Sequence, residues 1–257
     1  MSLINLHRFG KYSRRILSGL GMLALVGLIF WTVNSPVIVG ASATERHLPV
    51  YSVQRSDKTV ALSFDAAWGN EDTQRLIDIL SEYGVTTTFF VVGDWVDRYP
   101  ESVQALSDAG HEVMSHSSHH DHFSQLSTAE ITADLSACNE KIAAITGVSP
   151  TLFRCPYGEY DDHVIQAVRA LGMEPIQWSV DSLDWKGLSA SEIRERVLSR
   201  VQSGSIVLFH NAAEHTPEAL PGILEALQQD GYTVVPISEL LLTGETFIDN
   251  TGMQCPR

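Results

Sequence analysis

The sequence predicts an α/β fold: a distorted (β/α) barrel of about seven strands, preceded by one apolar N-terminal helix. Three observations predict it. β-rich runs alternate with helix-period segments about seven times between residues 58 and 243. Seven or eight such units in roughly 200 residues suit a closed or nearly closed barrel better than an open sheet. Polar residues able to do chemistry recur directly after the apolar strands, the end at which such barrels carry their sites.

The elements follow in order. Residues 59–64, "TVALSF", form a first strand, and 71–83 a helix with apolar spacing at Leu76, Ile77, Ile79 and Leu80, stopped by Gly84. "VTTTFFVVG" (85–93) is a strand, and 100–110 a helix opened by Pro100 and closed by Gly110. "HEVMS" (111–115) is a short strand, and 128–146 a long helix capped by Ser127 or Thr128. "TLFR" (151–154), "EPIQWSV" (174–180), "SIVLFH" (205–210) and "YTVVPI" (232–237) are the remaining strands. Helices are expected between them over 161–171, 189–203 and 217–230.

Before this region the chain reads differently. Residues 1–15 carry four basic and no acidic groups, and 16–33 are apolar apart from Ser18 and Thr32. This length approaches the ~20 residues of a membrane span. The basic flank places the N-terminus in the cytoplasm and the rest outside, as a single-pass anchored protein. The rival reading is a signal core with cleavage near Ala43, at "ASA" (41–43). Residues 34–57, with Pro36 and Pro49, read as a linker, 58–243 as the folded domain, and 244–257 as a C-terminal tail.

The formal net charge of −14 argues against a nucleic-acid partner, whose phosphates would repel an acidic surface. A neutral or cationic polymer suits it better. Three cysteines (Cys138, Cys155, Cys255) without a CxxC pair give no disulfide framework.

The stretch "SHSSHHDH" (115–122) holds four of the ten histidines. His116 and His120 are four apart, a spacing that puts two imidazoles on one face of a helical turn, where they could share a zinc-like ion. His119 and His122 read as solvated loop residues. Asp65, directly after a strand, is either a turn or cap carboxylate or a base that activates water. Arg154 is a surface cation, or a bidentate partner that keeps a carboxylate ionised. His210 is a satisfied core residue, or a proton donor if Asp184 or Asp181 orients it. A bound metal, a carboxylate base and a histidine acid together specify metal-assisted hydrolysis.

In five ordered blocks the sequence resembles the polysaccharide deacetylase family, the NodB-homology domain of carbohydrate esterase family four, over roughly residues 58–243. The blocks are "SFDAAWG" (63–69), "HSSHH" (116–120), "RCPYG" (154–158), "DSLDW" (181–185) and "LFH" (208–210). The resemblance implies that Asp65 is the catalytic base, that His116 and His120 bind a divalent metal, zinc by preference, and that Arg154 tethers Asp65. It implies that the Tyr157 backbone N–H stabilises the oxyanion and that His210, tuned by Asp184, is the acid, with Asp181 in support. Trp185 and Leu208 would line the pocket for an acetyl methyl. The family's second Asp, a metal ligand, is Ala66 in this chain, and alanine cannot ligate. "FDAAWG" is similar to the PdaB-like sporulation subgroup, which carries a single Asp before Trp-Gly. The implied activity is hydrolysis of N-acetyl groups, a carbon–nitrogen bond, on a cell-wall glycan, peptidoglycan by preference. Two alternatives are a catalytically weak glycan-binding or structural member of the fold, and an esterase or amidase on another substrate.

Overall fold

The computed structural model describes residues 46–257, and His47–Arg257 form one compact unit. The expected anchor or signal helix over 16–33 lies outside the described residues. Among the described residues no helix is long and apolar enough to cross a membrane.

After a two-residue strand, β1 (Ser52–Val53), the chain builds its core as a parallel sheet of seven strands. These are β2 (Thr59–Ala66), β3 (Thr88–Val91), β4 (Glu112–Ser115), β5 (Leu152–Phe153), β6 (Glu174–Pro175), β7 (Val180–Asp181) and β8 (Ile206–His210). Their order is β6-β5-β4-β3-β2-β8-β7, and β9 (Thr233–Val234) pairs with the start of β2. All eight residues of β2 are buried, as expected of a parallel strand covered on both faces. Its side chains alternate between two layers. Val60, Leu62, Phe64 and Ala66 join the apolar layer under the helices. Ala61 faces inward and shares a second cluster with Phe90, Leu152, Ile176 and Ile206. Residues from both ends of the sheet meet in that cluster only because the sheet curls.

The barrel is not closed by β6 and β7, and the N-terminal segment fills the gap. Val50 N–H donates to the Pro175 carbonyl at 2.9 Å, and Gln177 N–H donates to that of Val50 at 2.7 Å. Val53 N–H donates to the Gly204 carbonyl at 2.9 Å. A Cβ on Gly204 would lie 1.7 Å from the Val53 carbonyl oxygen, so only glycine admits this crossing.

Helices cover the outer face: α1 (Thr73–Glu82), α2 (Gly93–Arg98), α3 (Pro100–Asp108), α4 (Thr128–Thr146), α5 (Asp162–Ala170), α6 (Ala190–Leu198), α7 (Thr216–Gln229) and the short α8 (Ile237–Leu240). Local sequence fixes several starts. Ser127 with Glu130, and Ser189 with Glu192, form reciprocal capping boxes at α4 and α6.

The structure departs from the sequence reading at five places. The strand expected over 174–180 is two short strands, β6 and β7, split by residues 176–179. The six-residue α2 is too short to show a helical period, and the helix expected to reach 203 ends at Leu198. The linker 34–57 gives way to structure before 58, because β1 pairs with β11 (Met253–Pro256). The tail is likewise structured: β11 pairs antiparallel with β10 (Thr246–Ile248) in a three-stranded sheet. Strands of two to four residues carry too little alternation to be read from sequence. All three cysteines are buried free thiols.

Candidate active site

The C-terminal ends of β2, β4, β5, β7 and β8 bring the sequence-predicted residues to one open cavity of about 500 Å³. Asp65, His116, His120, Asp181 and His210 supply its polar lining. Leu208, Trp185 and Tyr157 lie among its apolar walls.

Asp65 and His210 are register partners on the adjacent strands β2 and β8. Asp65 is buried, and its Oδ1 accepts a 2.8 Å hydrogen bond from Arg154 Nη1. Arg154, directly after β5, is fully buried beneath Asp65. Its guanidinium lies 4.2 Å from the Phe90 ring centroid and donates to the Gln177 carbonyl at 3.3 Å. Burial alone would raise the Asp65 pKa. The neighbouring charges, that of Arg154 foremost, outweigh it and hold the carboxyl below its ordinary range.

His116 follows β4. Its Nδ1 is 2.8 Å from the Arg154 carbonyl oxygen, which can only accept, so Nδ1 carries the proton. Nε2 then faces Asp65 Oδ2 at 3.5 Å. Burial lowers the His116 pKa despite the Asp65 charge, and burial takes His120 down to about 4. Both rings are therefore neutral near pH 7. Their centroids are 4.9 Å apart, edge to face. No helical turn produces this adjacency. Residues 116–122 form a loop in which Ser117 (φ 76°) and His120 (φ 61°) are left-handed, and His120 N–H donates to Ser117 Oγ at 2.9 Å. His119 turns away to Asp94 at 3.0 Å, while His122 stacks on Tyr157 at 4.4 Å and pairs with Glu159.

A divalent ion at this cavity would need protein ligands. Ala66 lies on the opposite face of β2 from Asp65 and packs into the core, so that position offers no ligand to the cavity. Two neutral imidazoles remain, and the nearest carboxylate, Asp65, is already engaged by Arg154. A catalytic zinc-type site takes three protein ligands. Among the described residues no three His, Cys, Asp or Glu groups are arranged to hold an ion. The donor set is thus incomplete for the metal.

On the other side, His210 Nδ1 is 2.8 Å from Asp184 Oδ1. Asp184 Oδ2 accepts from His210 N–H at 2.8 Å and from Thr216 Oγ1 at 2.7 Å. Burial lowers the His210 pKa, but the Asp184 hydrogen bond and charge prevail and raise it. Of the two candidate partners, then, Asp184 holds His210. Asp181 instead accepts from Leu183 N–H at 2.8 Å and braces the loop that presents Asp184.

Tyr157 sits in a tight turn after Arg154 with φ 59°, and Leu183 precedes Asp184 with φ 56°. Among the described residues the left-handed non-glycine positions are Ser117, His120, Tyr157 and Leu183, all in loops around this cavity. Such strain persists where surrounding structure enforces it, and it gathers at functional sites. Three residues of the site are not evident from the sequence pattern. Trp68 and Trp178 line the cavity, and buried Gln177 donates to the Gly158 carbonyl at 3.0 Å while accepting from Arg154. Of these, only Trp68 carries a signal, since it stands inside the "SFDAAWG" block.

An ionised carboxylate and a histidine held in its protonatable form flank one cavity. That pairing supports water activation on one side and protonation of a leaving group on the other.

Comparison with known proteins is consistent with this geometry. The polysaccharide deacetylase family model matches residues 52–176. YlxY of Bacillus subtilis is 32% identical over 75% of this chain, which spans only 60% of YlxY. The peptidoglycan-N-acetylmuramic acid deacetylase PdaA of Bacillus subtilis is 30% identical over 79% of both chains. A solved carbohydrate esterase family 4 pseudoenzyme from Bacillus anthracis superposes with a TM-score of 0.73 at 35% identity, covering 75% of this chain and 68% of that one. A mutant of that pseudoenzyme has restored enzymatic activity. The chain belongs to the polysaccharide deacetylase family.

Proposed function

We propose that this protein hydrolyses N-acetyl groups from an exported cell-wall glycan, with peptidoglycan as the polymer. The observation that carries the reading is the pair of register partners, Asp65 and His210, each fixed by its own buried counter-charge at one cavity. Asp65, kept ionised, takes a proton from the attacking water. The Tyr157 N–H, presented by its left-handed turn, is the donor for the oxyanion. His210, held toward its imidazolium form by Asp184, protonates the leaving nitrogen, so acetate and a free amine result. Leu208 and Trp185 take the acetyl methyl. Asp181 keeps the Asp184 loop in place.

Deacetylases of this family are generally metal-dependent. No step here runs through a metal, because among the described residues the donor set lacks a third protein ligand. Peptidoglycan is supported by the deacetylase relative and by the apolar segment 16–33, which we propose anchors the chain with its domain outside the cytoplasm. The "FDAAWG" resemblance favours a role in sporulation.

A second reading, glycan binding with little or no turnover, is favoured by Ala66 together with the pseudoenzyme relative. Acetate release from peptidoglycan decides between them. It is measured with the full-length protein as purified, after chelation, and with zinc added. Release that disappears in Asp65→Asn supports the deacetylase. Glycan binding with no release under any of the three conditions overturns it in favour of the binder.

A further inference from the structure

The large apolar side chains exposed among the described residues are Trp68, Val148, Tyr157, Trp185 and Phe247, and the three aromatics numbered 68, 157 and 185 all rim the same cavity. Single exposed apolar residues are ordinary, but a convergence of aromatics on one mouth marks a binding surface. Tyr157 stands beside His120 with ring centroids 4.5 Å apart, and Trp185 follows Asp184. Both already have places in the proposed chemistry. Trp68 has none. It is 48% exposed, and one side of its indole stacks on the His210 ring, with centroids 5.6 Å apart and planes 24° apart.

The loop carrying Trp68 is built to hold it there. The next carbonyl, Gly69 O, accepts from Trp95 Nε1 at 2.6 Å and from Asn211 Nδ2 at 3.0 Å. Both donors belong to buried residues. Gly69 itself is left-handed (φ 57°), and a Cβ there would fall 2.5 Å from Glu71 Oε2. The backbone is therefore pinned, while half of the indole stays in water over an open cavity of ligand size.

We infer that Trp68 is a substrate-binding residue, the platform on which a pyranose ring of an N-acetylated aminosugar polymer stacks beside His210. The inference rests on the glycan reading of the cavity and adds the residue that orients the sugar. A pyranose offers a C–H face that packs on an aromatic ring while its hydroxyls remain hydrated. An indole with one face occupied and one face wet matches that ligand, because aromatic residues combine a large apolar area with little conformational entropy to lose. A neutral sugar also meets no penalty from the acidic protein. Because the indole is stacked on His210, a sugar ring packed against it is held in fixed relation to the candidate acid.

The test is calorimetric titration of full-length parent, Trp68→Leu and Trp68→Phe with tetra-N-acetylchitotetraose. Acetate release is followed in parallel. Trp68→Leu should weaken binding about tenfold, and Trp68→Phe should restore it to within about threefold of the parent. Where acetate is released, Trp68→Leu should raise KM more than it lowers kcat. Unchanged affinity in Trp68→Leu, or no binding of the probe by the parent, overturns the inference. Binding that depends on Trp68 without any acetate release upholds the platform and removes the deacetylase reading instead. Should Trp68→Leu fail to fold, Trp68→Gln is read against the same outcomes.

Discussion

Asp65 and His210 sit side by side at the ends of β2 and β8, yet each is bound to a different buried counter-charge, Arg154 for one and Asp184 for the other. The two arrangements push in opposite chemical directions. Arg154 keeps the carboxyl ionised, and Asp184 keeps the imidazole ready to hold a proton. One strand register thus places a carboxylate and an imidazole next to each other, each with its own buried counter-charge.

The first expected consequence concerns His210. Its pKa is raised in the folded protein, so the protonated donor persists to higher pH than an unassisted imidazole. Asp184→Asn removes the charge that opposes burial. The alkaline limb of the acetate-release profile should move to lower pH. His210→Ala should reduce kcat by about 10²–10⁴-fold. An alkaline limb that stays in place in Asp184→Asn would remove that partnership.

Arg154 and Asp65 form a buried pair, and removing one partner strands the other. Arg154→Met leaves the Asp65 carboxylate buried without its counter-charge, a loss of about 3–5 kcal/mol in urea unfolding. Adding Asp65→Asn to that variant should recover much of the loss. If the two changes instead act additively, the pair is not energetically coupled.

Stability should also depend on His111, which is far from this chemistry in the fold. It accepts from Thr87 N–H through Nδ1 at 3.2 Å, so Nε2 carries the proton of the neutral ring and is buried without a partner among the described residues. Burial takes its pKa from 6.5 to about 4. The unfolded chain therefore binds a proton at a pH where the folded protein does not. This contribution to stability is complete above about pH 6.5 and is lost as pH falls toward 4, to the extent of about 3 kcal/mol. His111→Leu should flatten the fall in urea midpoint over that window. An equally steep fall in the variant would assign it to other groups.

Gly204 tests the closure of the barrel. With φ 79° and the Val53 carbonyl at 1.7 Å from any Cβ, Gly204→Ala must displace the segment that spans the gap beside β6. A loss of about 3 kcal/mol or more is expected, with the largest gain in amide exchange at Val50 and Val53. Exchange that rises uniformly across the sheet would mean that the segment does not seal the barrel.

The sequence by itself determined the strand and helix alternation, because buried parallel strands such as "TVALSF" and amphipathic helices such as 71–83 carry local periods. It also determined which side chains end the strands, since Asp65, Arg154 and His210 each follow an apolar run directly and His116 follows one after a single serine. Tertiary structure decided what those residues do to one another. Nothing local distinguishes Asp184 from Asp181 as the partner of His210; the turn through Leu183 aims one at the imidazole and the other at the backbone. His116 and His120 meet through left-handed residues in a loop, a geometry that i, i+4 spacing does not encode. The strands at 52–53 and 253–256 are too short to have a period, and they exist because each completes the other. Trp68 was visible in its motif, but its role waited on the fold, which sets one face on His210 and leaves the other open to the cavity.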